Sequence, residues 1–427
     1  MKLFPNLLFL LSVAGLVTTW AQDQPEVLTE SDFYTITPLR PPADVYPEVS
    51  GLAIDPEKNV YVGTRRGDVY QLRHAFPGDR DEPEWKLWVR GIHEPIGMSW
   101  EDGALLATQR PELTRIRDRD GDGRADSFQT ICDHWGINGD YHEYAFGSPP
   151  DRDGNVWIVL CLTGSGSYKS DFRGWCVRVT PDGRMIPTAS GIRSPGGIGF
   201  NAEGDVFYTD NQGPWNGSSS VKHLAPGSFQ GNPSGWPAFD DLQSGLLGGK
   251  PPQPKSGSRI DAAREKIPNF VPPAVVLPHG KMGQSPTGII PFPGDGTFGP
   301  FEGQVMVGEQ TFSQIQRLYL EKVNGVYQGA AFPFLSGFES GNIALAISDD
   351  GVLFTGGSNR GWGARGGKPY NMDRVTWNGK VPFEVREMRA KPDGFQLTFT
   401  QPVDRAKAGA PGAYRMKAFT YLIMSRV

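Results

Sequence analysis

The stretch GLAIDPEKNVYVGT, residues 51–64, sets two short apolar runs around an Asp-Pro-Glu-Lys-Asn turn. Val60-Tyr61-Val62 is β-branched and aromatic, with the alternation of a strand and none of the 3.6-residue period of a helix. The phrase returns five times along the chain. It reads IGMSWEDGALLATQ from Ile96, YAFGSPPDRDGNVWIVLCLTG from Tyr144 and GGIGFNAEGDVFYTDNQGP from Gly196. It then reads TGIIPFPGDGTFGPFEGQVMVGEQ from Thr287 and IALAISDDGVLFTGGSN from Ile343. Most copies are followed by a further strand-like run, such as VYQLR, LTRIR, CVRVT, IQRLYLE or DRVTW. Six such units at roughly 45–60-residue spacing predict an all-β, six-bladed β-propeller. It spans residues 33–378. A two-sheet sandwich would not repeat one phrase six times. The gap between the fourth and fifth copies is longer, and residues 214–282, rich in Gly, Pro and Ser, read as an insertion over one face.

Outside the repeat, the chain divides clearly. Lys2, the apolar run Leu7–Val17 and Thr19-Trp20-Ala21 read as a cleavable signal peptide over residues 1–21, which predicts a periplasmic or secreted protein. The run is too short for a membrane span, although an uncleaved anchor helix is the alternative, and no later run could cross a bilayer. After Trp377 the repeat stops. Residues 381–427 read as two strands, EVREMRA and GFQLTFTQPVD, around a Lys-Pro-Asp-Gly turn. That is the start of a β-sandwich-like segment, too short to be complete, so the chain reads as a truncated form of a longer one.

With 55 Gly and 37 Pro the chain is rich in turns, yet its Trp, Phe and Tyr suffice to fill a core. Its net charge of −5, with no basic stripe, argues against a nucleic-acid partner. Of its three cysteines, Cys161 ends one expected strand and Cys176 begins the next, so these two could form a disulfide, with Cys132 left over. No CxxCH or CxxC spacing is present.

In a propeller, the residue just before each innermost strand sits at the mouth of the central channel. Those positions are Glu48, Glu94, His142, Arg193, Ser285 and Glu339, a polar ring that predicts a converging pocket. His142 is the member suited to take a proton from an alcohol near neutral pH. Glu143 follows it but points the other way on a strand. Arg193 is placed to hold an anionic oxygen. A second candidate is DRDGDGRAD, where Asp118, Asp120 and Asp122 alternate ahead of Gly123 and Asp126. Oxygen ligands at this spacing, with the Arg124 carbonyl, predict a structural calcium loop without an EF-hand's final Glu. The shorter DRDGN from Asp151 reads as a simple turn.

The order of a His before blade three, Arg-x-Pro-x-Gly before blade four and Gln-Gly-Pro after that strand resembles the soluble PQQ-dependent glucose and sorbosone dehydrogenases. It is still more similar to the related membrane-bound-dehydrogenase propellers of planctomycete-type bacteria, long exported proteins that often carry a C-terminal cytochrome c domain. The resemblance implies that His142 is the base that deprotonates a sugar hydroxyl and that Arg193 lies beside the cofactor. It also implies that Gly213 and Pro214, next to Gln212, offer carbonyls to a calcium ion under PQQ. The sequence departs from that family twice. Gln310-Thr311-Phe312 stands where a PQQ-gripping lysine is expected, and Glu339-Ser340-Gly341 where an arginine pair is expected. Lys281 and Arg360 are the nearby basic substitutes.

Three readings follow. The first is an oxidoreductase that oxidises a sugar or related alcohol with His142, PQQ and calcium, and passes electrons to a cytochrome c. The second is a non-catalytic propeller that binds a carbohydrate or protein and has lost the cofactor. The third is lactone or hydrolytic chemistry at a channel metal held by Glu48, Glu94 and Glu339, for which no phrase matches a known ligand pattern.

Overall fold

The computed structural model describes residues 28–79, 82–241 and 246–426, so the signal peptide expected at residues 1–21 lies outside the described residues. Within them the chain forms six four-stranded antiparallel sheets, the blades of a propeller. Blade one is Val49–Ile54, Val60–Thr64, Val69–Arg73 and Glu84–Val89, running outward in chain order. The innermost strands of blades two to six are Met98–Glu101, Ala145–Pro150, Pro195–Phe200, Pro286–Pro291 and Ala344–Ile347. All six repeated phrases therefore supply the first two strands of a blade. The turn between those strands is set by its leading Asp or Asn. Asp55 Oδ1 accepts the Asn59 N–H at 2.7 Å, Asp151 Oδ1 that of Asn155 at 2.9 Å, and Asn201 Oδ1 that of Asp205 at 2.8 Å.

The ring closes on blade six, whose outer strand comes from the other end of the propeller. Tyr34–Pro38 pairs with Tyr370–Trp377, Tyr34 lying opposite Trp377 and Pro38 opposite Asp373. The Tyr34 ring, almost wholly buried, packs edge-on against Phe334 at 5.0 Å and hydrogen-bonds to the Phe298 carbonyl. No helix among the described residues is long and apolar enough to cross a membrane.

The stretch at 214–282 is only partly an excursion. Ser219–His223 and Val275–Leu277, which lie inside it, are the third and outer strands of blade four. Between them the chain adds two short helices, Pro237–Asp241 and Ile260–Lys266, and buries Phe229, Trp236 and Phe239 beside Trp175 of blade three. Leu422–Ile423 returns to pair with Ser258–Arg259 of the same excursion. Val385–Lys391 and Gly394–Phe399 form a hairpin. The fully buried Arg317 of blade five, sandwiched between Phe301 and Phe332, donates to Glu384 Oε2 and the Val385 and Arg386 carbonyls and so docks that hairpin.

The disulfide considered for Cys161 and Cys176 is not formed; all three cysteines are free thiols. The strand register sets Cys176 opposite Val159 rather than Cys161. Cys161 Sγ turns instead toward the Arg193 carbonyl at 3.6 Å, and burial pushes this thiol up to about 11.

At the axis, the inner strands carry Gly51, Gly147, Gly197 and Gly288, and Gly97 directly precedes that of blade two. A Cβ at Gly97 would lie 2.2 Å from the Gly147 carbonyl oxygen, and one at Gly197 would lie 2.5 Å from the Gly288 nitrogen. Blades touch here backbone to backbone: the Gly147 N–H donates to the Ile96 carbonyl at 3.0 Å and the Gly288 N–H to the Ile343 carbonyl at 3.2 Å. Side chains would wedge the ring open. We predict that Gly197→Ala destabilises the protein by about 1–3 kcal/mol, as overpacking does. A thermal melt would register it, and an unchanged midpoint would refute the close contact.

Candidate functional site

The channel mouth holds a small pocket, and its floor is built by the first residues of the inner strands. Ser194-Pro195-Gly196 and Ser285-Pro286-Thr287 enter blades four and five there. In each case a buried carboxylate at the end of the neighbouring strand fixes the entry. Asp210 Oδ1 accepts the Ser194 N–H at 2.9 Å. Glu309 accepts the Gln284 N–H at 2.9 Å together with the Ser285 and Phe312 N–H groups. Asn211 and Gln310, the next residues in line, then face the pocket.

His142 forms one wall. Its N–H is held by Asp140 Oδ1 at 2.8 Å, and its ring lies between Tyr141, 5.2 Å away edge-on, and Trp362, at 6.3 Å. Burial lowers the imidazole pKa below its ordinary value; Asp140 opposes this, and the Arg193 and Arg110 charges add to it. The ring is thus held neutral near pH 7, the state that accepts a proton. Glu143 faces away as expected, fully buried, and accepts from Thr163 Oγ1 at 2.5 Å and Ser170 Oγ at 3.2 Å.

Of the six expected ring members, only His142 and Ser285 line the pocket. The three glutamates are turned aside, each between two cations. Glu94, buried, accepts from Arg65 Nε and Arg110 Nε, both at 2.7 Å. Glu48 accepts from Arg66 Nε at 2.9 Å and faces Arg360 Nη1 at 3.5 Å. Glu339 is paired with Arg40 and with Lys368 Nζ at 2.7 Å; the Arg40 bond first, then the Lys368 bond, hold its carboxyl down at about 2 against the opposing effect of burial. Glu339 therefore presents no free negative charge to repel an anion, and the three glutamates do not converge on a metal. Among the described residues, the acidic, His or Cys side chains close enough to share an ion are Asp118, Asp120 and Asp122, whose oxygens lie within 4.8 Å of one another. Asp126 of that loop instead accepts the Arg119 N–H, and the Arg124 N–H donates to Asp122.

Arg193 does not line the pocket either. Its Nη1 donates to the Asn211 and Gln212 carbonyls at 3.3 and 3.0 Å, and its guanidinium lies on the face of Gly213, where a Cβ would be 2.1 Å away. The Gly213 carbonyl accepts the Asn216 N–H at 2.9 Å and the Pro214 carbonyl accepts from Asn232 Nδ2 at 3.1 Å. The carbonyls that the resemblance offers to calcium are thus already used, with a fixed cation standing over them. This set does not fit a divalent ion beneath a quinone. Nor does the pocket fit a tricarboxylate, because Arg65, the one arginine in its wall among the described residues, is spent on protein partners.

Those partners were not foreseen from sequence. Arg65 donates through Nε to Glu94, through Nη1 to the Arg360 carbonyl at 3.0 Å, and through Nη2 to the Tyr141 and Tyr144 hydroxyls at 3.1 and 2.5 Å. Burial alone would lower its pKa, but Tyr144 and Glu94 more than offset this and hold it above the ordinary arginine value. Arg110 caps the same loop from below, donating to the Asp140 and Tyr141 carbonyls at 3.0 and 2.8 Å. The His142 loop is therefore clamped by two arginines that share one carboxylate. The signal lay in the sequence: Arg65-Arg66 follows a second strand directly, and Tyr141 and Tyr144 bracket His142.

Because folding lowers the His142 pKa, the unfolded chain binds its proton first on acidification. Stability contributed by the neutral ring above the ordinary value of 6.5 is lost as pH falls from there toward the folded value. We predict that the His142 ring signal in an NMR titration has its midpoint below 6.5. A midpoint at or above that value would contradict the buried setting.

The fold is shared with solved structures of low sequence identity. The PQQ-bound aldose sugar dehydrogenase of Streptomyces coelicolor is 16% identical, with a TM-score of 0.54 over 81% of this chain and 98% of that one. The PQQ domain of the pyranose dehydrogenase of Coprinopsis cinerea, in its holo form, is 14% identical, with a TM-score of 0.55 over 80% and 95% of the two chains. The Trichoderma reesei carbohydrate-active enzyme of family AA12, in its calcium structure, is 12% identical, with a TM-score of 0.57 over 81% and 96%. No curated protein matches the sequence significantly. The family model described as a domain of unknown function, DUF7133, matches residues 82–326, more than half of the chain, and the protein therefore belongs to the DUF7133 family.

Proposed function

We propose that this chain is an exported, dehydrogenase-like propeller whose mouth pocket binds a saccharide, with His142 taking a proton from a bound hydroxyl. The observation that carries this reading is the wall itself: a neutral imidazole with Tyr141 and Trp362 on either side, above a floor of Ser, Thr, Asn and Gln. Aromatic faces cover the C–H surface of a sugar ring, and amides and hydroxyls meet its O–H groups. The similarity in fold to proteins named as aldose sugar and pyranose dehydrogenases supports the same substrate class. Export rests on the N-terminal sequence, and a cytochrome c acceptor would belong with an oxidising function. The carbonyls of Gln212, Gly213 and Pro214 favour a second reading, a binding propeller without turnover, because they are engaged where the family's calcium and PQQ would need them.

Calorimetric titration with a panel of mono- and oligosaccharides separates these possibilities. The expected result is saccharide binding that Trp362→Ala weakens by about tenfold, on the order of one aromatic contact, while His142→Ala leaves binding in place. Any dye-linked oxidation would vanish in His142→Ala. Absence of binding to every saccharide tried would overturn the reading. Spectral binding of PQQ at micromolar concentration, with calcium present, would restore the quinone–calcium arrangement.

We further infer that Asp118, Asp120 and Asp122 hold a calcium ion with a structural role, on the loop joining the third and outer strands of blade two. Calcium at millimolar concentration should raise the melting temperature of the wild-type protein and not that of Asp120→Asn. Equal shifts in both would show that the ion binds elsewhere.

A further inference from the structure

The three glutamate pairings have a shared arithmetic. Glu339, Glu48 and Glu94, from blades six, one and two, each lie between two cations. Along this arc Arg40, Lys368, Arg66, Arg360, Arg65 and Arg110 outnumber the three glutamates by three, and the buried Asp373 beside Arg40 and Lys368 offsets one of these, leaving an excess of two positive charges around Glu48 and Glu94. The excess stands on a chain whose net charge is −5, so it is a local feature and not a property of the whole surface. It also reaches solvent: the Arg66 side chain is 57% exposed and that of Arg360 is 48% exposed. Asp140, the carboxylate beside His142 on the other side of the mouth, is occupied by the Gly164 and His142 N–H groups.

The arc is continuous with the pocket. Arg66 follows Arg65, which lines it, and Arg360 gives its carbonyl to Arg65 and lies two residues before Trp362. Exposed aromatic rings accompany the arginines: Trp362 at the pocket, and Tyr46 with Arg66 stacked over it at 5.3 Å. Guanidinium groups present planar, paired N–H donors that match the oxygens of a carboxylate or sulfate. An excess of them beside aromatic platforms suits a sugar chain that is charged.

We propose that the ligand is an anionic saccharide, one that carries carboxylate or sulfate groups, with a sugar ring beside His142 and Trp362 and its anionic group directed to Arg66 and Arg360. This inference rests on the reading of the pocket as a saccharide site and adds the charge of the ligand. The glutamates position the cations rather than contact the ligand. Each fixes two arginine or lysine side chains, and at Glu48 and Glu94 one positive charge is left unspent.

The test is titration of the full chain with three tetrasaccharides: neutral galactotetraose, tetragalacturonate and a sulfated carrageenan tetrasaccharide. At about 50 mM salt, one or both anionic probes should bind about tenfold or more tightly than the neutral one, and the advantage should shrink several-fold at about 0.5 M, where exposed charges are screened. The two anionic arms distinguish a carboxylate site from a sulfate site. In an Arg66→Gln, Arg360→Gln variant the preference should disappear. Equal or tighter binding of the neutral probe would overturn this proposal and leave the saccharide site standing. Failure of all three probes, and of the wider panel, would remove the saccharide site itself. A preference retained in the double variant would overturn the placement of the anionic group.

Discussion

The closest constraint in this molecule is the approach of neighbouring inner strands at the axis, where Gly97 meets Gly147 and Gly197 meets Gly288 with no room for a methyl group. Each blade widens outward, so six blades close into a ring only if their inner edges nearly touch. The glycines allow that contact, and the inter-blade hydrogen bonds from Gly147 and Gly288 use it. Everything at the mouth inherits its spacing from this ring. The entry residues Ser194 and Ser285 are each locked to the neighbouring strand of their own blade, by Asp210 and Glu309. Closure by Tyr34–Pro38 then joins the two ends of the propeller, so that the fit at the axis is a property of the whole ring and not of adjacent blades alone.

A ring of backbone positions does not make a ring of converging side chains. Glu48, Glu94, His142, Arg193, Ser285 and Glu339 occupy equivalent places, and the repeat made that equivalence readable. What the repeat could not carry was direction, because each side chain turns toward whichever partner a neighbouring loop supplies. Glu94 finds Arg65 and Arg110, from the ends of strands in blades one and two, and is drawn inward until it is almost wholly buried. Glu339 finds Arg40 and Lys368, one of them about 300 residues away in sequence, a pairing that no local pattern announces. The charge of the arc therefore changes sign between sequence and structure: three acids in a row become three acids outnumbered.

The fold was legible because its signal is repeated six times, and errors in one copy are corrected by the others. The excursion within blade four was less so. Its Gly- and Pro-rich composition masked Ser219–His223 and Val275–Leu277, which are ordinary blade strands separated by about 50 residues of chain. The cysteine pairing failed for a geometric reason: adjacency of Cys161 and Cys176 in strand order says nothing about register, and register puts Val159 opposite Cys176. His142 was visible as a site residue from its position alone. Its setting was not, since Trp362 comes from a loop of blade six and Arg110 from blade two.

The mouth also shows how a shared fold can carry altered chemistry. Arg193 keeps its place in the Arg-x-Pro-x-Gly phrase, yet its guanidinium is turned onto the Asn211 and Gln212 carbonyls, over the Gly213 backbone. A cation fixed there lowers the attraction of that backbone for a second cation, whatever the sequence motif preserves. The arginine in the pocket wall, Arg65, is likewise consumed by Glu94 and two tyrosines. Arg193 and Arg65 are thus structural, holding the loops that shape the pocket, and the cations that reach solvent are Arg66 and Arg360, which share the single carboxylate of Glu48. A site arranged this way has little charge at its floor and an excess at its rim. It favours a ligand whose uncharged part enters and whose charged part stays near the surface, the division expected of a substituted sugar chain rather than of a compact, triply charged cofactor.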